Sequence, residues 1–254
     1  MRKFIFGGGI LILGLLFLAP PIASAMGVEA AVGVWRQDPS GDIGFKGDPL
    51  SVENDLKYDA KSRGFGRVKI DMPLLIPNIY LMATPVKFEG DGSKNIGFTF
   101  GDKTFAANVP FSSSVKMDHY DVALYYGLPF LKTATLGKFN AEAGLNARIF
   151  NLKAEMNQPT TGTSESKSLT LPVPMFYLGA QLKPVKYLSL EAEARGISYS
   201  SNHYYDLIGR LKVQPFGPFF IAGGYRYEGV KVDQSDVKAN FTLKGPFLEL
   251  GLVF

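Results

Sequence analysis

Every second residue over 248–254 is large and apolar (Leu248, Leu250, Leu252, Phe254), and Glu249 and Gly251 stand between them. Successive side chains of a β-strand point to opposite faces, so this pattern predicts a strand with one greasy face. The same alternation recurs along the chain. Val28, Ala30, Val32 and Val34 oppose Glu29, Ala31, Gly33 and Trp35; Val68 and Ile70 oppose Arg67, Lys69 and Asp71. Tyr120, Val122, Leu124 and Tyr126 oppose His119, Asp121, Ala123 and Tyr125. The clearest run is 139–149, where Phe139, Ala141, Ala143, Leu145, Ala147 and Ile149 alternate with Asn140, Glu142, Gly144, Asn146 and Arg148. Further runs cover 79–88, 169–182, 188–195, 205–213 and 219–228. The pattern predicts about ten antiparallel strands, or eight if 88–112 is an extended loop.

The connections alternate in character. Polar, turn-rich segments at 37–62 and 157–167 read as exposed loops, and a hairpin above the membrane is expected to turn near 101–103. Segments 73–78, 183–186 and 215–218 are short and contain Pro. Long loops on one side and tight turns on the other match the two rims of a bacterial barrel, with both termini on the tight-turn side. The 200–202 loop and the 127–137 turn fit this asymmetry poorly.

The N-terminus stands apart from this pattern. A short basic start (Arg2, Lys3), an apolar core over 4–18 and the Ala23-Ser24-Ala25 triplet predict a secretory signal peptide over 1–25, cleaved before Met26. The remaining domain is 26–254. Without residues 1–25 the chain keeps 25 Lys+Arg against 23 Asp+Glu, a net charge of +2. So small and unclustered an excess gives no footprint for nucleic acid. There is no Cys, hence no disulfide framework and no lipidation site. After residue 25 no apolar run is long enough for a spanning helix.

An exported β-protein of this kind is either a soluble sandwich or a membrane barrel. Two features favour the barrel. Its apolar faces carry many Ala and Gly, which lipid contact tolerates and a close-packed core does not favour. Tyr120 and Tyr126 lie roughly 20 Å apart on one face, near the height of an apolar band flanked by aromatic girdles. The expected fold is therefore all-β: a transmembrane antiparallel up-and-down barrel.

In that register a set of charges faces inward: Arg67, Lys69, Arg148, Arg195, Arg210, Lys212 and Arg226 against Asp71, Asp121, Glu142, Glu191, Glu193, Asp206, Glu228 and Glu249. Buried charges must be paired or hydrated, so a nearly balanced set predicts a salt-bridged lumen. A pore selective for one sign of ion would be lined by one sign of charge. A barrel of ten strands also has little bore, so no general diffusion channel is expected.

Candidate catalytic chemistry is sparse. His119 and Asp121 share the luminal face, as an Asp/His pair does in proteases of the omptin type, but the order is reversed and no second Asp pair stands at matching depth. Of Ser112, Ser113 and Ser114, only Ser113 shares the face of His119. A histidine inside the luminal charge network is the simpler reading. His203 is expected at the surface. Asp38, Asp42, Asp48, Glu53 and Asp55 gather in the first loop, but their spacing does not match an EF-hand, and a solvated loop is favoured. No nucleotide or phosphate motif is present, and no cofactor or metal is expected.

The C-terminal strand, with Leu250, Leu252 and terminal Phe254, resembles the signal strand of Gram-negative outer-membrane barrels, which implies recognition by the barrel-assembly machinery. Residues 35–44 (Trp-Arg-Gln-Asp-Pro-Ser-Gly-Asp-Ile-Gly) resemble an uncharacterised family of small proteobacterial outer-membrane barrels. So do 173–177, 197–199, 205–207 and 245–247. This resemblance, which covers essentially 26–254, implies fold and outer-membrane location but no activity. The expected partners are outer-membrane lipids, lipopolysaccharide and the assembly machinery, around a monomer. The expected role is non-enzymatic, structural or surface-interacting through the loops. The alternatives are a narrow conduit for small or hydrophobic molecules, and a hydrolase using His119.

Overall fold

The computed structural model describes residues 26–254 except 74, 75 and 235. The signal peptide expected over 1–25 lies outside the described residues. The chain forms a closed antiparallel barrel with ten strand positions. In order around the ring these are β1 (Gly27–Phe45), β3 (Lys61–Asp71), β4 with β5 (Asn78–Thr84 and Lys87–Gly92), β8 (Phe111–Gly127), β9 (Phe139–Gln158) and β10 (Thr163–Val185). Then come β11 (Leu188–Tyr199), β12 (Asn202–Phe216), β13 (Phe219–Asp233) and β14 (Val237–Val253). The strand that opened the sequence pattern closes the ring: β14 pairs with β1 from Glu29↔Val253 upward, and Val28 and Phe254 exchange backbone hydrogen bonds. Position three is broken at Pro85, where both halves still pair with β8.

The outer surface is apolar where the alternation predicts it. Val32, Leu124, Leu145, Leu178, Leu207, Leu248 and Leu250 are all exposed. A belt of this extent on a closed barrel is a lipid contact. Exposed aromatics mark its two borders: Tyr120, Phe176 and Tyr225 toward one rim, and Tyr126, Tyr187, Phe216, Phe219 and Phe254 toward the rim with the termini.

Above the belt the strands outrun their hydrophobic signal. The polar composition predicts an exposed loop over 37–62, but β1 continues to Phe45, and β2 (Leu50–Ser51) folds back onto it. Likewise β9 and β10 zip together through the predicted 157–167 loop, which leaves a turn only at 159–162. A ladder standing clear of lipid still needs backbone pairing but no greasy face, so its sequence becomes polar without ceasing to be strand. The predicted hairpin does turn at 101–102, as a separate pair of strands, β6 (Phe98–Phe100) and β7 (Lys103–Phe105). The 127–137 turn contains a single helical turn, α1 (Leu131–Ala134). Just above Phe176↔Gly196, where β11 stops pairing with β10, stand Pro172 and Pro174, which have no donor to offer a further strand.

These extended segments fold inward as a cap. Leu50, Val52, Leu56, Tyr58, Phe88, Phe98, Phe105 and Phe111 are all buried there. Phe98 stacks on Phe105 at 5.2 Å between centroids, and Tyr58 on Phe88 at 5.9 Å. Segments that looked solvated thus contribute a hydrophobic core to the mouth opposite the termini.

Candidate functional site: the filled lumen

The luminal face is the odd-numbered face of β1, β3, β8, β10, β11 and β14 and the even-numbered face of β4, β9, β12 and β13. Period two thus decides which residues share the interior, and closure of the ring decides which of them meet.

Nearest the termini, Lys69 pairs with Glu142 at 2.9 Å, and Lys212 pairs with Glu29 at 2.8 Å and Glu191 at 2.5 Å. Tyr177 donates to Glu142 at 3.1 Å. Among the described residues Asp71 is not drawn into an ion pair; it accepts a 3.4 Å bond from Tyr125.

One level further in, Arg67 grips Glu249 with two bonds of 3.0 and 2.7 Å and also reaches Glu29 at 2.7 Å. Arg210 donates to Glu193 at 2.7 Å and Glu191 at 3.2 Å, and Arg195 donates to Glu193 at 3.0 Å.

Toward the cap, Asp206 receives two 2.8 Å bonds from Arg226 and one from Arg148. Arg148 also clasps Asp121 at 2.8 and 2.9 Å, while Asn146 donates to Asp121 at 2.8 Å. Tyr204 is hydrogen-bonded to both Arg148 and Glu228. Each guanidinium here meets carboxylates from other strands, the arrangement that lets ionised groups leave water.

His119 sits in this upper level, buried, with Nε2 3.3 Å from Arg226 and 3.8 Å from Glu228. Its Nδ1 is 3.2 Å from the Met117 carbonyl, and its ring packs 5.3 Å from Phe150. Asp121 is engaged by Arg148 and Asn146, and the hydroxyl of Ser113 donates to the Gly90 carbonyl. Neither candidate partner is aligned on the imidazole. In the first extended segment, Asp55 accepts from Ser51 N–H and Lys94, and Glu53 accepts from Gly41 N–H. Among the described residues, no three His, Asp or Glu side chains gather as a metal site would require.

The lumen also holds Glu29, beyond the charges that the alternation predicts, and an aromatic half that the charges alone do not announce. Trp35, Phe65, Tyr80, Tyr177, Tyr204 and Phe247 are all buried inside the barrel. The signal was available on some strands, where Phe65 shares the parity of Arg67, Tyr204 that of Asp206 and Phe247 that of Glu249.

No family model matches the chain, and no curated protein matches it. Solved structures do match. The outer-membrane protease OmpT of Escherichia coli aligns over 91% of this chain and 96% of its own, at 8% identity and a TM-score of 0.51. The fold is that of outer-membrane β-barrels. The translocator domain of the autotransporter NalP from Neisseria meningitidis aligns over 97% and 94%, at 13% identity and a TM-score of 0.41. The attachment invasion locus protein Ail of Yersinia pestis aligns over 90% and 99%, at 10% identity and a TM-score of 0.37. At such identities the likeness is one of architecture, and architecture does not carry chemistry.

Proposed function

We propose that this chain is an integral protein of the Gram-negative outer membrane that acts as a structural or surface-interaction element, without enzymatic activity. On this reading the termini and tight turns face the periplasm, and the capped end faces outward. Its kin are the small proteobacterial barrels that residues 35–44 resemble. The observation that carries the reading is the filling of the lumen. Ion-paired levels from Lys69–Glu142 to Arg148–Asp206 are followed by the buried cap of Phe98, Phe105 and Phe111. A solute would have to break several buried pairs in succession, each costly to separate. The surface available to partners is then the outside of the cap and the long hairpins.

Planar-bilayer recording tests this directly. The refolded barrel is expected to give no large, stable conductance, and such conductance would overturn the reading in favour of a conduit. The hydrolase alternative depends on His119, which Phe150 and Arg226 screen. Deleting the gene and profiling envelope permeability and lipid A should leave both unchanged. Altered lipid A restored by the parent but not by His119→Ala would establish the enzyme.

A further inference from the structure

The end of the barrel that carries both termini opens on a cavity of about 150 Å³, whose wall holds Lys69, Lys132, Lys183, Lys186 and Lys212. Two of these ammonium groups are neutralised: Lys69 by Glu142, and Lys212 by Glu29 and Glu191. Lys132, Lys183 and Lys186 have no carboxylate within ion-pair distance among the described residues. The remaining acid of the wall, Asp71, accepts the Tyr125 hydroxyl. With Glu191, which pairs with Lys212, five cations thus meet four carboxylates (Glu29, Asp71, Glu142, Glu191), and the positive charge left over lies with Lys132, Lys183 and Lys186.

The three unpaired lysines come from two neighbouring connections, the turn that contains α1 and the β10–β11 hairpin, which a backbone hydrogen bond ties together. Lys132 lies on α1, whose turn is fastened by Gly137 N–H to the Lys132 carbonyl at 2.7 Å and by Phe139 N–H to the Thr135 hydroxyl at 3.1 Å. Lys183, at the end of β10, donates its backbone N–H to the Lys138 carbonyl at 2.7 Å. Lys186 follows in the β10–β11 turn. Amides of Asn140, Gln181 and Gln214 line the same wall. Like charges crowded into a cleft with protein walls repel one another and focus a positive potential there, which draws in an anion.

We propose that this mouth binds a multivalent oxyanion, a phosphate or polycarboxylate group, held by Lys132, Lys183 and Lys186. The charged levels above it make the cavity a terminus for such a group rather than the start of a passage. The inference rests on the barrel geometry and stands apart from the surface role proposed above. The same chemistry is offered by a soluble anion and by the phosphate of a lipid headgroup in the adjoining leaflet.

The test uses the folded barrel in a phosphate-free sugar detergent, titrated calorimetrically with pyrophosphate and with citrate at constant ionic strength. We expect saturable one-site binding, weakened about tenfold or more in K132Q/K183Q/K186Q through loss of charge-assisted contacts. K57Q/K61Q/K103Q, at the other end, should bind as the parent does. If detergent samples do not bind, nanodiscs of phosphatidylcholine with and without phosphatidylglycerol separate the sources. An anionic-lipid-dependent rise in melting temperature, lost in the triple variant, assigns the site to a headgroup. Retained compact mobility on unheated gels shows that the variant has folded, and Lys183→Gln alone carries the comparison if it has not. Equal binding by parent and variant, a response matched by chloride (an adventitious ion only), or neither binding nor a lipid-dependent shift in the parent would overturn the proposal.

Discussion

Arg226 lies over the indole of Trp35, its guanidinium carbon 4.5 Å from the ring centroid. On its other side it holds Asp206, so this one side chain joins the ion-paired levels to the aromatic cap. The indole is itself anchored, donating from Nε1 to the Gly245 carbonyl at 3.2 Å. Gly245 is required there, since a Cβ would stand 1.9 Å from the Arg36 carbonyl oxygen. Trp35→Ala should therefore destabilise the barrel by about 3–5 kcal/mol, the range for emptying a buried aromatic site. Urea unfolding in detergent measures it, and a loss below about 1 kcal/mol would mean the junction contributes little.

The Arg67–Glu249 pair tests how buried charge is tolerated. Arg67→Met takes from buried Glu249 its two short bonds and leaves it Arg210 at 3.5 Å, so it should cost about 3–5 kcal/mol. Glu249→Leu alone leaves Arg67 its contact with Glu29 and should cost less. The double substitution should be milder than the sum of the single ones. A double-mutant cycle on unfolding free energies reads this coupling, and strict additivity would show that the pair does not act as a unit.

Tyr58, in the cap, offers a pH window. Burial pushes its hydroxyl up to about 12 from an ordinary value near 10. The folded state therefore keeps a proton that the unfolded state gives up as pH rises past 10, and this contribution to stability is lost between pH 10 and 12. Tyr58→Phe should show a shallower fall over that interval than the parent. Paired denaturation curves at pH 9 and pH 11, compared as differences, check it; parallel losses would place the hydroxyl in water.

Phe254 ends the strand that closes the ring, and its exposed ring stands at the border of the apolar belt. If it is the assembly signal that its resemblance implies, Phe254→Ser should lower the amount of folded barrel recovered from cells. Folding into detergent micelles, which needs no assembly machinery, should survive. Unheated gel mobility of membrane fractions measures the first and refolding yield the second. Normal recovery from cells would remove the assembly role.

Leu248, Leu250, Val122, Leu124 and Leu145 were legible as lipid-facing, and Arg148, Asp206 and Glu249 as luminal. Within the apolar belt each strand advertises its outside every second residue. The cap was not legible. Leu50, Val52 and Leu56 lie among turn formers, and nothing local shows that the segment folds into the barrel mouth rather than over its rim. Residues 157–167 misled in the other direction, because hydroxyl and charged residues on a hairpin clear of lipid look like a loop.

The sequence by itself determined the side of the wall on which each strand residue stands, because the twofold period is a property of the backbone and needs no partner. It also determined that the interior would hold charges of both signs. Only the tertiary structure decided that Arg67 meets Glu249 across 182 residues of chain, and that Arg148, from β9, meets Asp206, from β12. Such meetings depend on the stagger between neighbouring strands and on the closure of β14 against β1. Both are set by the ring as a whole, and no stretch of sequence contains them.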